Sequence, residues 1–395
     1  MPKIITRYVC YELSKVLVMC LCSLTLLLVI VGVVQEGIRN GLTVGVMIKL
    51  VPFVTLNALC FAVPGTVLFC VCAVFGRMSS MNEITAIKSL GISPWVVIGP
   101  AILFAIVSSL IVVIVIDVAF SWGYHQTKRV VAMSVAEIAY SVLSTQRSYT
   151  SNHFSIRVSG VDDKRLLNPM IEMRNDNNAS TRIIAREAEI ETNAIDGTLT
   201  LVLTDGLLEM EDQATLRFPN TIRRSFDIAG ANPAALDSAN PSHMWLWEVP
   251  IALARQRDRI EQMKEKVAVE VAYDLLTGNF SDLTGPTEAT RADQILQEQQ
   301  RLQRLQVEPH RRWASGFSCL GFAVIGIPLA MRLRTSDIIK TFAVCFLPIL
   351  IVYYPLFALG LDRAKSGAWP PYSVWLGNAV CLTVGIYLFS KVLRH

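Results

Sequence analysis

Six stretches of this 395-residue chain contain no Asp, Glu, Lys or Arg, and each is about long enough to cross a bilayer core as a helix. The six windows are Val16–Val34, Leu50–Gly76, Trp95–Ile116, Trp313–Met331, Thr341–Leu361 and Tyr372–Ser390. A segment inside a bilayer must satisfy its own backbone hydrogen bonds, so each window is expected to be helical. The sequence therefore predicts a polytopic α-helical membrane protein with six transmembrane helices, three before and three after a long polar segment.

The charged residues lie outside these windows. The chain has 36 Lys and Arg and 32 Asp and Glu, and 52% of its residues are hydrophobic while 17% are charged. This composition is too apolar for an ordinary cytosolic enzyme. The formal net charge of +4 does not favour a nucleic-acid-binding surface, so nucleic acid is not expected as a partner.

The long segment between the third and fourth windows shows two patterns. Short runs rich in β-formers, separated by turn residues, predict a sandwich or jelly-roll-like sheet. The runs are His153–Val158, Ile183–Ile190, Leu199–Val202 before a turn at Asp205–Gly206, Leu207–Met210, Leu216–Phe218 and Thr221–Ile228. Further on, Trp245–Leu276 and Thr287–Val307 are polar and, apart from Pro250 near the start of the first stretch, free of interior Gly and Pro, which predicts a helical hairpin.

These patterns divide the chain into four parts. Residues 1–121 carry the first three transmembrane helices, residues 122–245 the jelly-roll-like domain, residues 246–312 the polar hairpin, and residues 313–395 the last three transmembrane helices. An even number of crossings places both termini on one side. The short loops hold 10 Lys and Arg in 47 residues on that side and 4 in 25 on the other, a small bias towards cytoplasmic termini that Arg311 and Arg312 oppose.

The loop between the second and third windows predicts a short helix over Ser80–Leu90. Ser80 and Glu83 have the spacing of a capping box, and Gly91 followed by Pro94 is a helix-ending signal. Apolar residues recur every three positions along one side, at Met81, Ile84, Ile87 and Leu90. Such a helix either offers its outer side to a partner or is a solvated connector whose apolar side rests on lipid headgroups.

Motifs of catalysis are absent from the sequence. It contains no Gly-x-x-x-x-Gly-Lys-[Ser/Thr], no His-Glu-x-x-His and no Gly-x-Ser-x-Gly, so neither an enzymatic activity nor a metal or cofactor is expected for this chain. The pairs Cys20–Cys22 and Cys70–Cys72 lack an accompanying His, and buried helical Cys usually behaves as a small hydrophobe. Asp117, which closes the third window, is either an intramembrane acid or a carboxylate in contact with interfacial water.

Proline residues inside the windows predict bent helices packed in a bundle. In the fifth window, Tyr353 and Tyr354 precede Pro355 near one interface. This arrangement has two interpretations: a lateral gate, or the ordinary packing of a kinked helix.

The order of these segments and several local motifs resemble the permease subunits of the bacterial lipopolysaccharide export system, the LptF/LptG family. The matching stretches are Arg7–Tyr8, Val63–Gly65, Gly76–Met78, Asn82–Lys88, Gly91–Ser93, Ala185, Leu201–Gly206, and Arg312 to Gly326–Leu329. They are spread over most of the chain, and the stretch from Gly76 to Ser93 is the most specific of them.

The resemblance implies a transporter subunit of the bacterial inner membrane, with both termini cytoplasmic and the large domain periplasmic. Such subunits pair with a second permease and with two copies of a P-loop ATPase, which binds the ATP and Mg²⁺. They extract lipopolysaccharide and pass it through an open β-jelly-roll to a periplasmic bridge protein of similar fold. This chain is then a non-catalytic permease that binds no cofactor itself.

The resemblance also assigns roles to residues. The short helix becomes a coupling helix seated in the ATPase, with Arg77, Ser80, Glu83, Ile84, Ile87 and Lys88 as its coupling residues. The first and fifth helices become the gate, which includes Tyr353, Tyr354 and Pro355. Anionic headgroups favour cations at the outer rim, where the candidates are Arg39, Lys49, Lys128 and Arg129, whose other interpretation is interfacial anchoring.

Two other classes of protein remain open at this stage. A mechanotransmitting ABC subunit of the lipoprotein-release type usually has four crossings with its large domain after the first, so the number of crossings distinguishes it. A non-transporting membrane scaffold would use the windows as passive anchors and bind no ATPase. The polar hairpin, with about fifty residues at Arg257–Gln306, is larger than the family pattern requires.

Overall fold

The computed structural model describes most of the chain. The described residues are 2–40, 44–123, 126, 140, 143–144, 147–150, 154–162, 165–174, 180–193, 198–210, 214–218, 221–227, 240–278, 286–333 and 337–394. Within them the α-helices are α1 Pro2–Asn40, α2 Val44–Ser80, α3 Glu83–Ser89, α4 Trp95–Val118, α5 Val249–Thr277, α6 Pro286–Leu333, α7 Ile338–Pro348, α8 Tyr354–Lys365 and α9 Leu376–Arg394.

Six helical segments of the described residues are long and apolar enough to cross a membrane. They are Lys3–Ile38, Val44–Ser80, Trp95–Gly123, Thr290–Leu333, Ile338–Lys365 and Pro371–Val392. Each contains one of the six charge-free windows, so the prediction of six helices able to span a membrane is confirmed.

Two of these segments contain a wide, π-helical turn. One turn, Ala119–Gly123, continues α4, and the other, Ile349–Tyr353, joins α7 to α8. Pro355 follows the second turn. Because proline has no N–H and its ring clashes with the carbonyl four residues earlier, a regular α-helix is disfavoured here and the wider turn accommodates it. The change of helix type falls at the place where the sequence predicts a bend in the fifth window, and the bend itself stays a prediction.

Helix α6 is 48 residues long, so at 1.5 Å per residue it extends about 70 Å, more than twice the thickness of a bilayer core. The second helix of the predicted hairpin and the fourth apolar window are thus one continuous helix. Its polar half packs against α5. Gln256 of α5 donates to the Glu298 carbonyl at 3.1 Å, and Arg291 of α6 lies 3.2 Å from Glu270.

The apolar half of α6 packs closely on its neighbours through glycine. A Cβ on Gly316 would lie 2.3 Å from Val113 of α4, and one on Gly326 would lie 2.9 Å from Leu68 of α2. Dense packing of this kind replaces the hydrophobic effect, which provides no driving force between helices in lipid. Gly316 therefore lets α6 approach the backbone of α4, and Gly326 leaves room for side chains of α2.

The chain forms two compact units. One consists of Met1–Leu28, Thr55–Trp122 and Asn240–His395, and the other of Val29–Val54 and Gly123–Ala239. The first unit contains the packed helices around α6. The second contains the β-sheet together with the end of α1 and the start of α2.

The second unit contains an antiparallel sheet, which in the described residues has nine strands. The strands are β1 Ser148–Thr150, β2 Phe154–Arg157, β3 Gly160–Asp162, β4 Arg165–Leu167, β5 Met170–Arg174, β6 Ser180–Asn193, β7 Thr198–Met210, β8 Ala214–Phe218 and β9 Ile222–Asp227. The two long strands, β6 and β7, pair along their length, and each half of β7 has its own outer neighbour: β9 first, then β8. A β-rich domain is confirmed, and its jelly-roll form stays a prediction.

The predicted turn at Asp205–Gly206 is wrong, because β7 runs through it. Asp205 has a left-handed φ of 49°, and the pairing with β6 resumes on either side in the same register. In β6 the buried positions step by two at Ile183 and Ala185 and by three to Ala188. A strand normally alternates with a period of two, so the buried face of β6 changes at this step while its pairing with β7 continues.

Candidate functional site

The loop between α2 and α4 contains the short helix α3, which begins later than the sequence predicts. Ser80 is the last residue of α2, and its hydroxyl donates to the carbonyl of Arg77 at 2.9 Å. Asn82, with φ 58°, precedes α3, and no side chain caps the helix there. The predicted capping box of Ser80 and Glu83 is therefore wrong, because Ser80 is still helical and its hydroxyl bonds back to its own helix.

The end of α3 follows the prediction. Gly91 has φ 74°, its N–H donates to the carbonyl of Lys88 at 2.9 Å, and the N–H of Ile92 donates to the carbonyl of Ile87 at 3.2 Å. These two bonds form a Schellman motif, in which a left-handed residue satisfies the last carbonyls of a helix. Glycine adopts that conformation without a steric penalty, which is why the helix stops here.

The apolar side of α3 is only partly covered. Ile84 is buried in the same hydrophobic cluster as Met78 of α2, and Ile87 packs against that cluster. Met81 is 64% exposed and Leu90 is 74% exposed. The middle of α3 is thus fixed on the membrane helices, while both of its ends present apolar side chains to the surroundings.

Polar contacts connect α3 and the end of α2 to three further membrane helices. Arg77 forms an ion pair with Glu12 of α1 at 2.8 Å, and the Ser79 hydroxyl donates to the Met331 carbonyl at the end of α6 at 2.7 Å. Lys88 donates to the carbonyl of Val392 in the last turn of α9 at 3.4 Å, where a cation is also favoured by the helix dipole. The end of α2 is thus bonded to α1 and α6 through Arg77 and Ser79, and α3 itself is bonded to α9 through Lys88.

Two of the six predicted coupling residues, Arg77 and Ser80, lie in the last turn of α2, and the other four lie in α3. Arg77 and Lys88 bind other membrane helices, as described above. Ile84 and Ile87 pack inward, and Ser80 bonds to its own helix. Glu83, in the first turn of α3, is half-buried and suits the positive end of that helix dipole.

The three predicted gate residues lie at the wide turn between α7 and α8. Tyr353 is buried, with its ring centroid 4.9 Å from that of Phe322 of α6 and 5.9 Å from that of Phe357. Tyr354 and Pro355 are exposed. Tyr353 therefore fixes the wide turn on α6, and the ring of the partly exposed Tyr354 also lies beside Phe322, with 6.5 Å between the ring centroids.

The four predicted headgroup cations are only partly described. Arg39 lies in the last turn of α1, and Lys49 is exposed on α2. Lys128 and Arg129 lie outside the described residues. The described residues contain no group of three or more His, Cys, Asp or Glu that is suited to hold a metal ion.

A buried charge cluster was not foreseen from the sequence. Arg312 of α6 is fully buried and forms ion pairs with Asp117 of α4 and, at 3.1 Å, with Glu308 one turn earlier. Its guanidinium also donates to the carbonyls of Ser242 at 3.0 Å and Met244 at 2.7 Å. The guanidinium thus has acceptors on α4, α6 and the segment before α5.

The remaining members of the cluster complete its charge balance. Arg311 pairs with Glu308 and lies with its guanidinium carbon 4.8 Å from the ring centroid of Phe120. Asp117 also accepts a hydrogen bond from the N–H of Leu246 at 3.1 Å. Two arginines and two carboxylates face one another, so the positive charges of Arg311 and Arg312 are balanced within the cluster. These two arginines are therefore weaker evidence against cytoplasmic termini than a count of Lys and Arg alone indicates. The sequence feature that could have indicated this cluster is the position of Asp117 just after the third apolar window and of Arg312 just before the fourth.

One comparison with known proteins gives a match. A family model described as "Lipopolysaccharide export system permease LptF/LptG" matches residues 7–391, nearly the whole chain. A search of curated proteins finds no match.

Proposed function

We propose that this chain, which belongs to the LptF/LptG family of lipopolysaccharide export permeases, is the permease subunit of an ATP-driven transporter. Its role is to extract lipopolysaccharide, or a related envelope lipid, from the inner membrane and pass it to a periplasmic bridge. The family is one of transporter permeases and not of catalytic enzymes. ATP and Mg²⁺ bind to the partner ATPase in this proposal, and this chain converts the motion of that partner into movement of its helices.

The observation that carries the proposal is the attachment of α3 and of the end of α2 that leads into it. Arg77 and Ser79, in the last turn of α2, bond to α1 and α6, and Lys88 of α3 bonds to α9, while Ile84 packs into the core beside α2. This segment is therefore bonded to three membrane helices besides the two that it joins. These contacts suit a lever on which a cytoplasmic partner pushes.

The exposed parts of α3 are the surface that we assign to the ATPase. Met81 and Leu90 offer apolar contacts at its two ends, and Glu83 offers a carboxylate near its beginning. Exposed apolar side chains beside polar ones are typical of a protein interface. Ile84, Ile87 and Lys88 then hold α3 on the bundle while the ATPase moves it.

Two spans are much less covered by the rest of the chain than their neighbours. Only 6% of the apolar window of Lys3–Ile38 and 17% of that of Ile338–Lys365 are buried, against 78% for Val44–Ser80. We assign these two spans to the boundary with a second permease, where a lipid cavity opens and closes. Each acyl CH₂ moved out of an apolar environment costs about 0.8 kcal/mol, so such a cavity and an external energy source are both needed.

In this proposal the domain that contains the antiparallel sheet is periplasmic, and both termini of the chain are cytoplasmic. Three membrane-spanning helices then precede the jelly-roll-like domain of residues 122–245, and three membrane-spanning segments follow it, the first of them continuous with the second helix of the hairpin of residues 246–312. Arg39 and Lys49 would lie at the outer rim, where anionic lipid phosphates favour cations. Tyr353, Tyr354 and Pro355 remain the proposed gate, since a wide turn lets α8 move relative to α7.

Purification from the native membrane in mild detergent, followed by mass spectrometry, tests the proposal. Recovery of a P-loop ATPase, a second six-helix permease and a phosphorylated, acylated lipid supports it. Recovery of the chain alone, where another membrane complex survives the same detergent, contradicts it and favours a scaffold. The lipoprotein-release class is disfavoured by the six spans of the described residues, since that class usually has four.

A further inference from the structure

We propose that Glu12 and Arg77 are a positioning pair that passes displacement of the α3 loop to helix α1. This inference rests on the proposed function, because it assumes that an ATPase moves α3. It adds the route by which this motion reaches the least covered membrane helix. It also gives Arg77 a role within the chain instead of a direct contact with the ATPase.

The pair joins α1 and α2 by a directional contact. Nη1 of Arg77 lies 2.8 Å from Oε1 of Glu12, and Nη2 donates to the hydroxyl of Tyr8 at 3.5 Å. Tyr8 and Glu12 are four residues apart, so they share one face of α1. Charge-assisted hydrogen bonds of this length are short and strongly oriented, which makes the contact suited to transmit a rotation.

The pair is partly shielded from water. The side chain of Glu12 is 13% exposed and that of Arg77 is 37% exposed. A fully exposed ion pair contributes little because water screens it, whereas partial burial strengthens the attraction. The shielding on the Glu12 side therefore favours a lasting contact over a transient one.

Arg77 also holds the loop with its backbone. Its carbonyl accepts hydrogen bonds from the N–H of Met81 at 3.0 Å and from the hydroxyl of Ser80 at 2.9 Å. The guanidinium of the same residue binds Glu12. Arg77, in the last turn of α2, thus bonds to Met81 at the start of the loop through its carbonyl and to α1 through its guanidinium.

The beginning of α1 is otherwise anchored on α2 beside this pair. Val9 and Leu13, which flank Glu12 on the neighbouring face, are fully buried, and the Cys70 thiol of α2 donates to the Leu13 carbonyl at 3.0 Å. Only 6% of the apolar window of α1 is buried. The first turns of α1 are thus firmly attached to α2. A rotation applied to these turns is passed along the rest of α1, which few neighbours restrain.

The test uses the complete transporter, purified with its ATPase and reconstituted in vesicles that contain lipopolysaccharide. The variants are Glu12→Gln, Arg77→Gln and the charge exchange Glu12→Arg/Arg77→Glu. Lys15→Gln is the matched control, because Lys15 is an exposed charge of the same helix. The measurements are the amount of ATPase that co-purifies, the lipid extracted per ATP hydrolysed, and the thermal unfolding of the complex.

Each single variant is expected to keep its ATPase and to lower lipid extracted per ATP by about fivefold, the lower end of typical coupling between sites. The charge exchange is expected to recover part of that loss, and the Lys15 control to match the wild type. Thermal unfolding identifies a variant that is merely misfolded. If Arg77→Gln is misfolded, the extraction per ATP of Glu12→Gln decides the result, because Gln has the shape of Glu without its charge.

Three results overturn the inference. The first is wild-type extraction per ATP in both single variants. The second is loss of the ATPase from the Arg77 variant alone, which shows a direct contact instead. The third is a charge exchange no better than the single variants. A wild-type chain that binds no ATPase removes the proposed function and this inference together, whereas the other three results leave the proposed function standing.

Discussion

Asp117 and Arg312 lie 195 positions apart in the chain and form an ion pair between α4 and α6. Arg312 is fully buried, and its other acceptors are Glu308, the Ser121 hydroxyl and two backbone carbonyls of the segment before α5. A buried charge is tolerated only when it is paired and hydrogen-bonded, and here each requirement is met. The pair therefore gives Asp117 a defined partner, which favours a structural role over that of a proton-relay acid.

Replacing Arg312 by Met is expected to destabilise the protein by about 3–5 kcal/mol, because it leaves Asp117 and Glu308 without their shared cation. Thermal unfolding in detergent measures the change. Arg332→Met is the control, since Arg332 is an exposed arginine of the same helix. Adding Asp117→Asn is expected to restore part of the stability by removing one unpaired charge. Equal stability of Arg312→Met and the wild type contradicts the assignment.

Replacing Gly316 by Ala is expected to destabilise the helix bundle by about 1–3 kcal/mol, as overpacking does in a dense core. A Cβ there would lie 2.3 Å from Val113 Cγ2 and 3.1 Å from the Val113 backbone nitrogen, so α4 and α6 must separate. Gly99→Ala is the control, because a Cβ on Gly99 meets nothing within 4 Å. The denaturation midpoints of the two purified variants are compared. Similar midpoints show that α4 and α6 are not packed at this distance.

Replacing Glu83 by Ala is expected to leave the protein folded and to weaken its association with the ATPase. Glu83 lies in the first turn of α3, on the proposed contact surface, and is not part of the core. Quantitative co-purification measures the association, and thermal unfolding checks the fold. Glu265→Ala, in the exposed surface of α5, is the control. Undiminished association and transport remove the coupling role of Glu83.

Replacing Gly91 by Ala is expected to destabilise the end of α3 by about 1 kcal/mol, because Gly91 has φ 74° and alanine adopts that conformation with strain. No atom lies within 4 Å of the added Cβ, so the effect comes from the backbone alone. Gly91→Asn is expected to be milder, since Asn tolerates this region. Hydrogen exchange of the α3 amides measures the change, and Gly45→Ala is the control, with an equally open site. Unchanged exchange in Gly91→Ala contradicts the expectation.

The local signals in the sequence were reliable where one physical requirement dominates. A long apolar stretch has no water to bond its backbone, so the helical state of all six windows followed from length and composition. Gly91 ended α3 as expected, because a left-handed residue is costly for other side chains. The polar helices of the hairpin also followed from their composition, with α5 covering Val249–Thr277.

Local signals failed where a longer-range pairing competed with them. Ser80 carries a capping residue type, yet α2 continues through it because its neighbours pack on the bundle. Asp205–Gly206 is a turn dipeptide, yet pairing with β6 on both sides keeps it within β7. In both cases the gain from tertiary contacts exceeds the small free-energy preference of the local motif.

The sequence by itself determined that the chain crosses a membrane, where its helices lie, and that its motifs match one family of permeases. Only the tertiary structure decided which charges meet: Arg312 with Asp117, and Arg77 with Glu12. The reason is that apolar length acts locally along the chain, whereas the partner of a charge is chosen by which helix faces pack together. Those faces are set by close contacts such as that of Gly316 with Val113, which no single segment encodes.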